Sequence, residues 1–263
     1  MMQVDTMQKQ DTQQDTSADS TTHFGFKTVD QAEKASMVRG VFNNVADQYD
    51  IMNDVMSVGV HRIWKNSLIN TLNPRAGMHL LDVAGGTGDI AFRFLDACKG
   101  GKVTVADINA EMLRVGRARA ADSGYSDRAK FVCGDAQKLP VPDASVDAYT
   151  IAFGIRNVTH VDQAIADAYR VLKPGGRFLV LEFSPQVVPI LQNLYDSYSF
   201  NLIPKFGSMV AGDAESYQYL VESIRKFPSK DKFAEMIAAG GFERVSYRSM
   251  STGVVAIHSG YKI

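Results

Sequence analysis

The sequence predicts an α/β fold, a mostly parallel sheet with a C-terminal antiparallel hairpin, on three observations. Short apolar runs ending near an acid or a glycine alternate with helix-like stretches across residues 76–184, which is the rhythm of β–α–β units. The first run, Leu80-Leu81-Asp82-Val83, passes through Ala84-Gly85-Gly86-Thr87-Gly88-Asp89 into Ile90-Ala91-Phe92 and reads as strand, tight loop and helix. The last two runs, Arg244–Met250 and Val254–Ser259, are joined only by Ser251-Thr252-Gly253, and so short a connection forces them to be antiparallel.

Residues 1–22 are rich in Gln, Asp, Thr and Ser and are expected to form a disordered tail. They lack the apolar core of a signal peptide and the arginines of a mitochondrial transit peptide, so a soluble cytoplasmic chain is expected. Residues 23–263 are expected to form one domain, beginning with a helical cap over 23–75. There Val38, Val41, Phe42, Val45, Tyr49, Met52, Val55 and Met56 recur at steps of three or four residues, as on one face of a helix. Tyr49-Asp50 and His61-Arg62-Ile63-Trp64-Lys65 add hydroxyl, carboxylate, imidazole and indole groups. They suit an active-site cap, and equally suit core aromatics and helix-capping acids.

The cofactor-binding core follows over 76–184. Glycines in the first loop let the backbone approach a ligand closely, and the next helix offers unpaired N–H groups at its start. A nucleotide-like cofactor fits, but Gly86-Thr87-Gly88-Asp89-Ile90-Ala91 also satisfies the dinucleotide fingerprint. The second strand, Lys102–Asp107, ends in an acid about twenty residues past the glycines, placed to accept both hydroxyls of a ribose. The third strand leads through Gly134 to Asp135-Ala136, where the carboxylate can meet an adenine amino group across the carboxyl edge of a parallel sheet. Both acids also suit turns or helix caps. A fourth strand, Ser145–Phe153, precedes the loop Gly154–Thr159, and a helix over Val161–Leu172 leads through Lys173-Pro174-Gly175-Gly176 to a fifth strand, Arg177–Glu182. Pro and two glycines there make a sharp return.

Residues 185–228 break this rhythm with Tyr195, Tyr198, Phe200, Phe206, Tyr217, Tyr219 and Phe227, and a substrate-side insertion is expected. Residues 229–263 supply a helix near Lys230–Ala239 and the hairpin.

Composition excludes several classes. The 263 residues carry a net charge of −1, with no basic excess for nucleic acid. Cys98 and Cys133 are far apart, the five histidines are scattered, and HExxH, CxxC and GxxxxGK[ST] are absent, so no metal or P-loop chemistry is expected. No apolar run reaches the length of a membrane span.

The glycine loop, the acids after the second and third strands and the Lys-Pro-Gly-Gly return resemble the Rossmann-like class I methyltransferases, which use S-adenosylmethionine. A nicotinamide oxidoreductase shares the loop but gives no reason for Asp135 or the return. Phe24-Gly25-Phe26, Val41–Ala46 with Tyr49–Asp54, Phe153–Val158, Asp213–Tyr217 and Gly253–Ala256 are further similar to the UbiE family of ubiquinone/menaquinone biosynthesis C-methyltransferases. The similarity runs from Phe24 to the C-terminus.

The resemblance implies methylation of a ring carbon of 2-polyprenyl-6-methoxy-1,4-benzoquinol and of demethylmenaquinol. It leaves open a chain serving one route alone, or a non-catalytic adenosylmethionine-binding subunit of a quinone biosynthesis complex. It implies cofactor contacts at Gly85, Thr87, Gly88, Asp107, Asp135, Ala136 and Ala152, the last where similar proteins often carry Ser.

A sulfonium already activates the methyl group, so the protein must supply alignment and an electron-rich carbon. Arg156 is expected to hold the developing phenolate and Asn157 to position the ring hydroxyl, while Tyr49, Asp50 and His61 compete for the base or orienting role. The polyprenyl tail calls for an apolar groove near Leu191–Leu220, with Lys205, Arg225 and Lys226 offered to lipid headgroups. Peripheral contact at the inner face of the cytoplasmic membrane, association with other quinone biosynthesis enzymes and a homodimer are expectations of the same reading.

Overall fold

The computed structural model describes residues 20–45, 57, 59–185 and 214–263. The chain enters with two short antiparallel strands, β1 (Thr21–Phe24) and β2 (Lys27–Asp30), turning at Gly25 with φ +59°. Asp30 Oδ1 accepts the Ala32 N–H at 2.8 Å and so caps α1 (Gln31–Val45). The helical pattern therefore starts after a hairpin that periodicity did not predict. Strands of four residues carry little alternation, and this pair is fixed by tertiary packing of Phe24, stacked on Tyr219 at 4.1 Å.

The core then alternates as expected. α2 (His61–Leu72) leads to β3 (His79–Val83), α3 (Asp89–Ala97), β4 (Lys102–Asp107), α4 (Ala110–Asp122), β5 (Ala129–Cys133), β6 (Val146–Ala152), α5 (Val161–Val171) and β7 (Leu172–Phe183). After the undescribed stretch come α6 (Ala214–Lys226), α7 (Lys230–Ala239), β8 (Glu243–Met250) and β9 (Val255–Tyr261). Seven strands form one sheet in the order β5-β4-β3-β6-β7-β9-β8. β3 to β7 are mutually parallel, and β9 runs antiparallel to both β7 and β8. The expected antiparallel hairpin is present, with its second strand inserted between β7 and β8.

Alternation along the strands explains the layering. Leu80, Val103, Val105, Ala148, Leu179, Leu181, Val255 and Ile257 point to one face, where α2, α3 and α4 bring Trp64, Leu68, Phe94 and Leu113. Leu81, Val83, Tyr149, Ile151, Phe178 and Val180 point to the other, against Ile165 and Ala168 of α5 and Phe233 and Ile237 of α7. Successive side chains of a strand face opposite ways, so each run fills both layers. On the first face Trp64 donates its Nε1–H to Ser251 Oγ at 2.9 Å and lies 6.2 Å from the ring of Phe153.

The fifth predicted strand begins earlier than Arg177. Leu172 already pairs with Val146, and pairing then shifts so that Ala148 faces Arg177. Lys173–Gly176 loop out between these points with Gly175 at φ +80°, which is the return that Pro and glycine predicted.

Candidate cofactor cleft and active site

The loops at the carboxyl ends of β3, β4, β5 and β6 enclose one cleft, where open parallel sheets bind ligands. Ala84-Gly85-Gly86, Asp107-Ile108-Asn109, Gly134–Gln137, Phe153-Gly154 and Asn157–Thr159 form its wall, and Ala35, Val38 and Arg39 of α1 close it from above. Helix α1 thus contributes one side of the cleft.

The glycine loop is shaped by contacts that exclude a Cβ. At Gly85 one would fall 2.7 Å from both Asp82 Oδ2 and Val105 Cγ1, and at Gly154 one would fall 2.4 Å from Ala84 Cβ. Gly86, at φ +51°, donates its N–H to Asp107 Oδ2 at 2.9 Å. Asp107 Oδ1 accepts the Asn109 N–H at 2.8 Å, and burial pushes this carboxyl up to about 6. Asn109 in turn caps α4 by accepting from Glu111 and Met112. Asp135 accepts the backbone and side-chain N–H groups of Gln137 at 2.9–3.1 Å, and Gln137 Oε1 accepts the His160 N–H at 3.0 Å.

Beneath the loop, Asp82 is 1% exposed. Its Oδ1 accepts the Thr150 hydroxyl at 2.8 Å, its Oδ2 has no hydrogen-bond partner among the described residues, and burial pushes the carboxyl up to about 7. A glycine cradle between two acids and over a third suits a ligand rich in hydroxyl and amino donors, as S-adenosylmethionine is.

Of the cofactor residues expected from sequence, Gly85, Asp107, Asp135 and Ala136 stand on the cleft wall. Thr87 is buried behind it and accepts from Arg119 Nη1 at 3.2 Å. Gly88 caps α3 at φ +89°, and Ala152 ends β6 just before wall residue Phe153. Asn157 is on the wall, and its Oδ1 accepts the Tyr219 hydroxyl at 2.9 Å. Tyr49 and Asp50 lie outside the described residues, as do residues 186–213 of the insertion expected over 185–228. His61 is buried at the start of α2 with Nδ1 2.9 Å from Ser57 Oγ.

Arg156 is turned into the protein behind the wall. Its Nη1 donates to Glu182 Oε1 at 2.8 Å and to the Phe153 carbonyl at 2.6 Å, and its Nε donates to Ser223 Oγ at 3.3 Å. Burial raises Glu182 while the Arg156 guanidinium opposes that rise. Sequence reasoning missed Glu182, although it lies at the end of the fifth strand as Asp107 does at the end of the second. It also missed the Lys65–Asp89 pair at 2.7 Å, which ties α2 to the start of α3. Among the described residues no group of three or more His, Cys, Asp or Glu could hold a metal ion, and no helix is long and apolar enough to cross a membrane.

A known family matches this architecture. The family model of the ubiE/COQ5 methyltransferase family matches residues 27–262. A Paracoccus denitrificans protein named ubiquinone/menaquinone biosynthesis C-methyltransferase UbiE is 60% identical, covering 92% of this chain and 97% of its own. A Mus musculus protein named 2-methoxy-6-polyprenyl-1,4-benzoquinol methylase, mitochondrial, is 52% identical, covering 92% of this chain and 84% of its own. Among solved structures, a SAM-dependent methyltransferase from Aquifex aeolicus shares the fold, with a TM-score of 0.56 at 17% identity over 76% of this chain and 89% of its own. With the methyltransferase cleft in place and the family matched over nearly its whole length, this chain belongs to the ubiE/COQ5 methyltransferase family and uses S-adenosylmethionine.

Proposed function

We propose that this chain methylates a ring carbon of 2-polyprenyl-6-methoxy-1,4-benzoquinol and of demethylmenaquinol. The observation that carries this reading is the 52–60% identity to proteins named for those reactions, joined to a cleft whose wall presents an amide, Asn157, beside the apolar Phe153. S-adenosylmethionine supplies an electrophilic methyl group when bound.

The residues act as follows in this proposal. Asp107 and Asp135 accept hydroxyl and amino donors of the cofactor, while Gly85, Gly86 and Ala136 give it room. Thr87 and Gly88 hold the loop from behind, and Ala152 sets the backbone ahead of Phe153. Asn157 meets the ring oxygen. Arg156 acts from behind the wall, with its charge offset by Glu182, so its main part is to hold the turn that carries Asn157 rather than to face the phenolate alone. Tyr49 and Asp50 serve as the base and orienting groups, because a quinol carbon becomes nucleophilic only as its neighbouring hydroxyl loses a proton. The division into cap (to 75), core (76–184), insertion (185–228) and C-terminal unit (229–263) follows the same reading, with the tail, expected over 1–22, ending where β1 begins at Thr21.

Association with other quinone biosynthesis enzymes and a homodimer belong to the same proposal, and in this reading substrates with long apolar tails draw the working protein to the inner face of the cytoplasmic membrane. Phe26 supports that contact: it is 51% exposed at the hairpin tip, with Lys226 Nζ 5.9 Å from its ring. Pelleting with anionic liposomes is the expected result, and recovery of all protein in the supernatant would remove the membrane from the reading.

The test of function is methyl transfer from labelled S-adenosylmethionine to short-tailed forms of both quinols under a reductant. Label in both products is expected. Label in one assigns the chain to that route, and cofactor binding without any label favours the scaffold subunit.

A further inference from the structure

Helix α6 reaches the active-site turn through one face. Tyr219 and Ser223 are four residues apart and so share that face. Both are buried. Their hydroxyls meet the two consecutive residues of the turn: Tyr219 donates to Asn157 Oδ1 at 2.9 Å, and Ser223 accepts from Arg156 Nε at 3.3 Å. Ser223 also donates to the Leu220 carbonyl at 2.9 Å, so its hydroxyl is oriented to accept from the guanidinium. Tyr219 is held in turn by the Phe24 ring stacked on it at 4.1 Å with an interplanar angle of 16°.

The chemistry of the Tyr219–Asn157 contact has a direction. An amide oxygen can only accept, so the phenol must donate. Burial raises the Tyr219 hydroxyl well above its ordinary range, which keeps it protonated and able to donate. With Oδ1 held by Tyr219, the nitrogen is the amide's atom without a hydrogen bond among the described residues, and Asn157 lines the cleft. An amide free to turn over would present oxygen or nitrogen there with similar ease.

We infer that Tyr219 is a positioning residue that fixes the amide of Asn157 with its N–H donors toward the substrate, so that the site selects an acceptor oxygen and stabilises it as it gains negative charge. The inference rests on the reading that Asn157 meets the ring oxygen. A donor aimed where charge develops acts mainly in the transition state. Tyr219 therefore governs turnover rather than affinity for the cofactor.

The experiment is a double-mutant cycle on the full chain, read as label transfer from S-adenosylmethionine to a short-tailed quinol, with melting temperature and cofactor affinity measured for every variant. Tyr219→Phe removes one oxygen and should lower kcat about tenfold, with cofactor affinity unchanged and melting lowered by no more than the loss of one buried hydrogen bond. In an Asn157→Ala background the same change should have no further effect. Asn157→Asp should lose at least as much turnover as Asn157→Ala, because it turns an oxygen toward the developing anion.

The inference is overturned if Tyr219→Phe turns over like the native chain, or if its loss is the same factor in both backgrounds. It is equally overturned if melting and cofactor affinity fall together with rate, or if Asn157→Asp is more active than Asn157→Ala. A native chain that labels no quinol would instead strike the acceptor reading.

Discussion

Glu182 Oε1 lies 2.8 Å from Arg156 Nη1, and the two side chains are 1% and 3% exposed. Both charges have left water, so each depends on the other. Glu182→Ala should cost about 3–5 kcal/mol, the usual result of stranding one member of a buried pair. Chemical denaturation checks this. Replacing both residues by apolar ones, Arg156→Met with Glu182→Leu, should recover much of the stability without recovering activity, because the turn bearing Asn157 loses its anchor. Arg156→Ala alone should therefore lose stability as well as turnover.

Asp107 joins the glycine loop to the start of α4 through its bonds to Gly86 and Asn109. Asp107→Ala removes the acceptor proposed for the ribose and frees the Gly86 N–H. Affinity for S-adenosylmethionine should fall at least about tenfold, since two bonds to a charged acceptor are lost. Calorimetric titration would show it, and an unchanged dissociation constant would place the ribose elsewhere.

Asp82 and Asp107 should draw stability from the cofactor-free chain as pH rises from about 4 to about 7, while His79 and His258, lowered by burial, act in the opposite sense in the acid part of that window. Asp82 and Asp107 are pushed up by burial to about 7 and about 6, so in this window the folded chain holds protons that the unfolded chain has released. Stability from such groups is complete below the unfolded pKa and falls by about 1.4 kcal/mol per pH unit and proton as pH rises through the folded one. Asp89 and Asp147 are held low, Asp89 by Lys65 and Arg93 against its burial and Asp147 chiefly by Lys173 against its own. They act in the opposite sense only in more acid solution. Melting temperatures between about pH 5 and 8 should decline for the native chain and more shallowly for Asp82→Asn.

Two glycines should respond differently to alanine. At Gly154 the new methyl would fall 2.4 Å from Ala84 Cβ, in the cleft wall, whereas Gly175 has φ +80° and nothing within 4 Å. Gly154→Ala should cost about 1–3 kcal/mol by overpacking and weaken cofactor binding. Gly175→Ala should cost about 1 kcal/mol from backbone strain and leave methyl transfer intact. Equal losses of activity would contradict the separation of cleft from return loop.

The strands of the core were legible because each is a short apolar run closed by turn residues, and the bounds of β4 and α7 agree with the sequence to the residue. Strand-end position then singled out Asp107 and Asp135. Hairpin β1–β2 was not legible, since its support comes from Tyr219, nearly 200 residues on. Neither was the partner of Arg156, because periodicity can say that Glu182 ends a strand but not that β7 lies beside β6 with that end under the turn. The pairing of Tyr219 and Ser223 with the turn was equally out of reach, since it depends on where α6 docks.

The insertion of β9 between β7 and β8 has a consequence for biosynthesis. Of the hairpin's two strands the later one in the chain, β9, is interior, and β8, made before it, pairs with no other strand among the described residues. Until Val255–Tyr261 arrive, β7 presents an open edge over Arg177–Phe183, much of it apolar and suited to pair with any passing strand. A chain stopped before Val255 should therefore hold most of its methyltransferase core and yet aggregate, which makes synthesis of the seven-residue β9 a checkpoint on soluble yield.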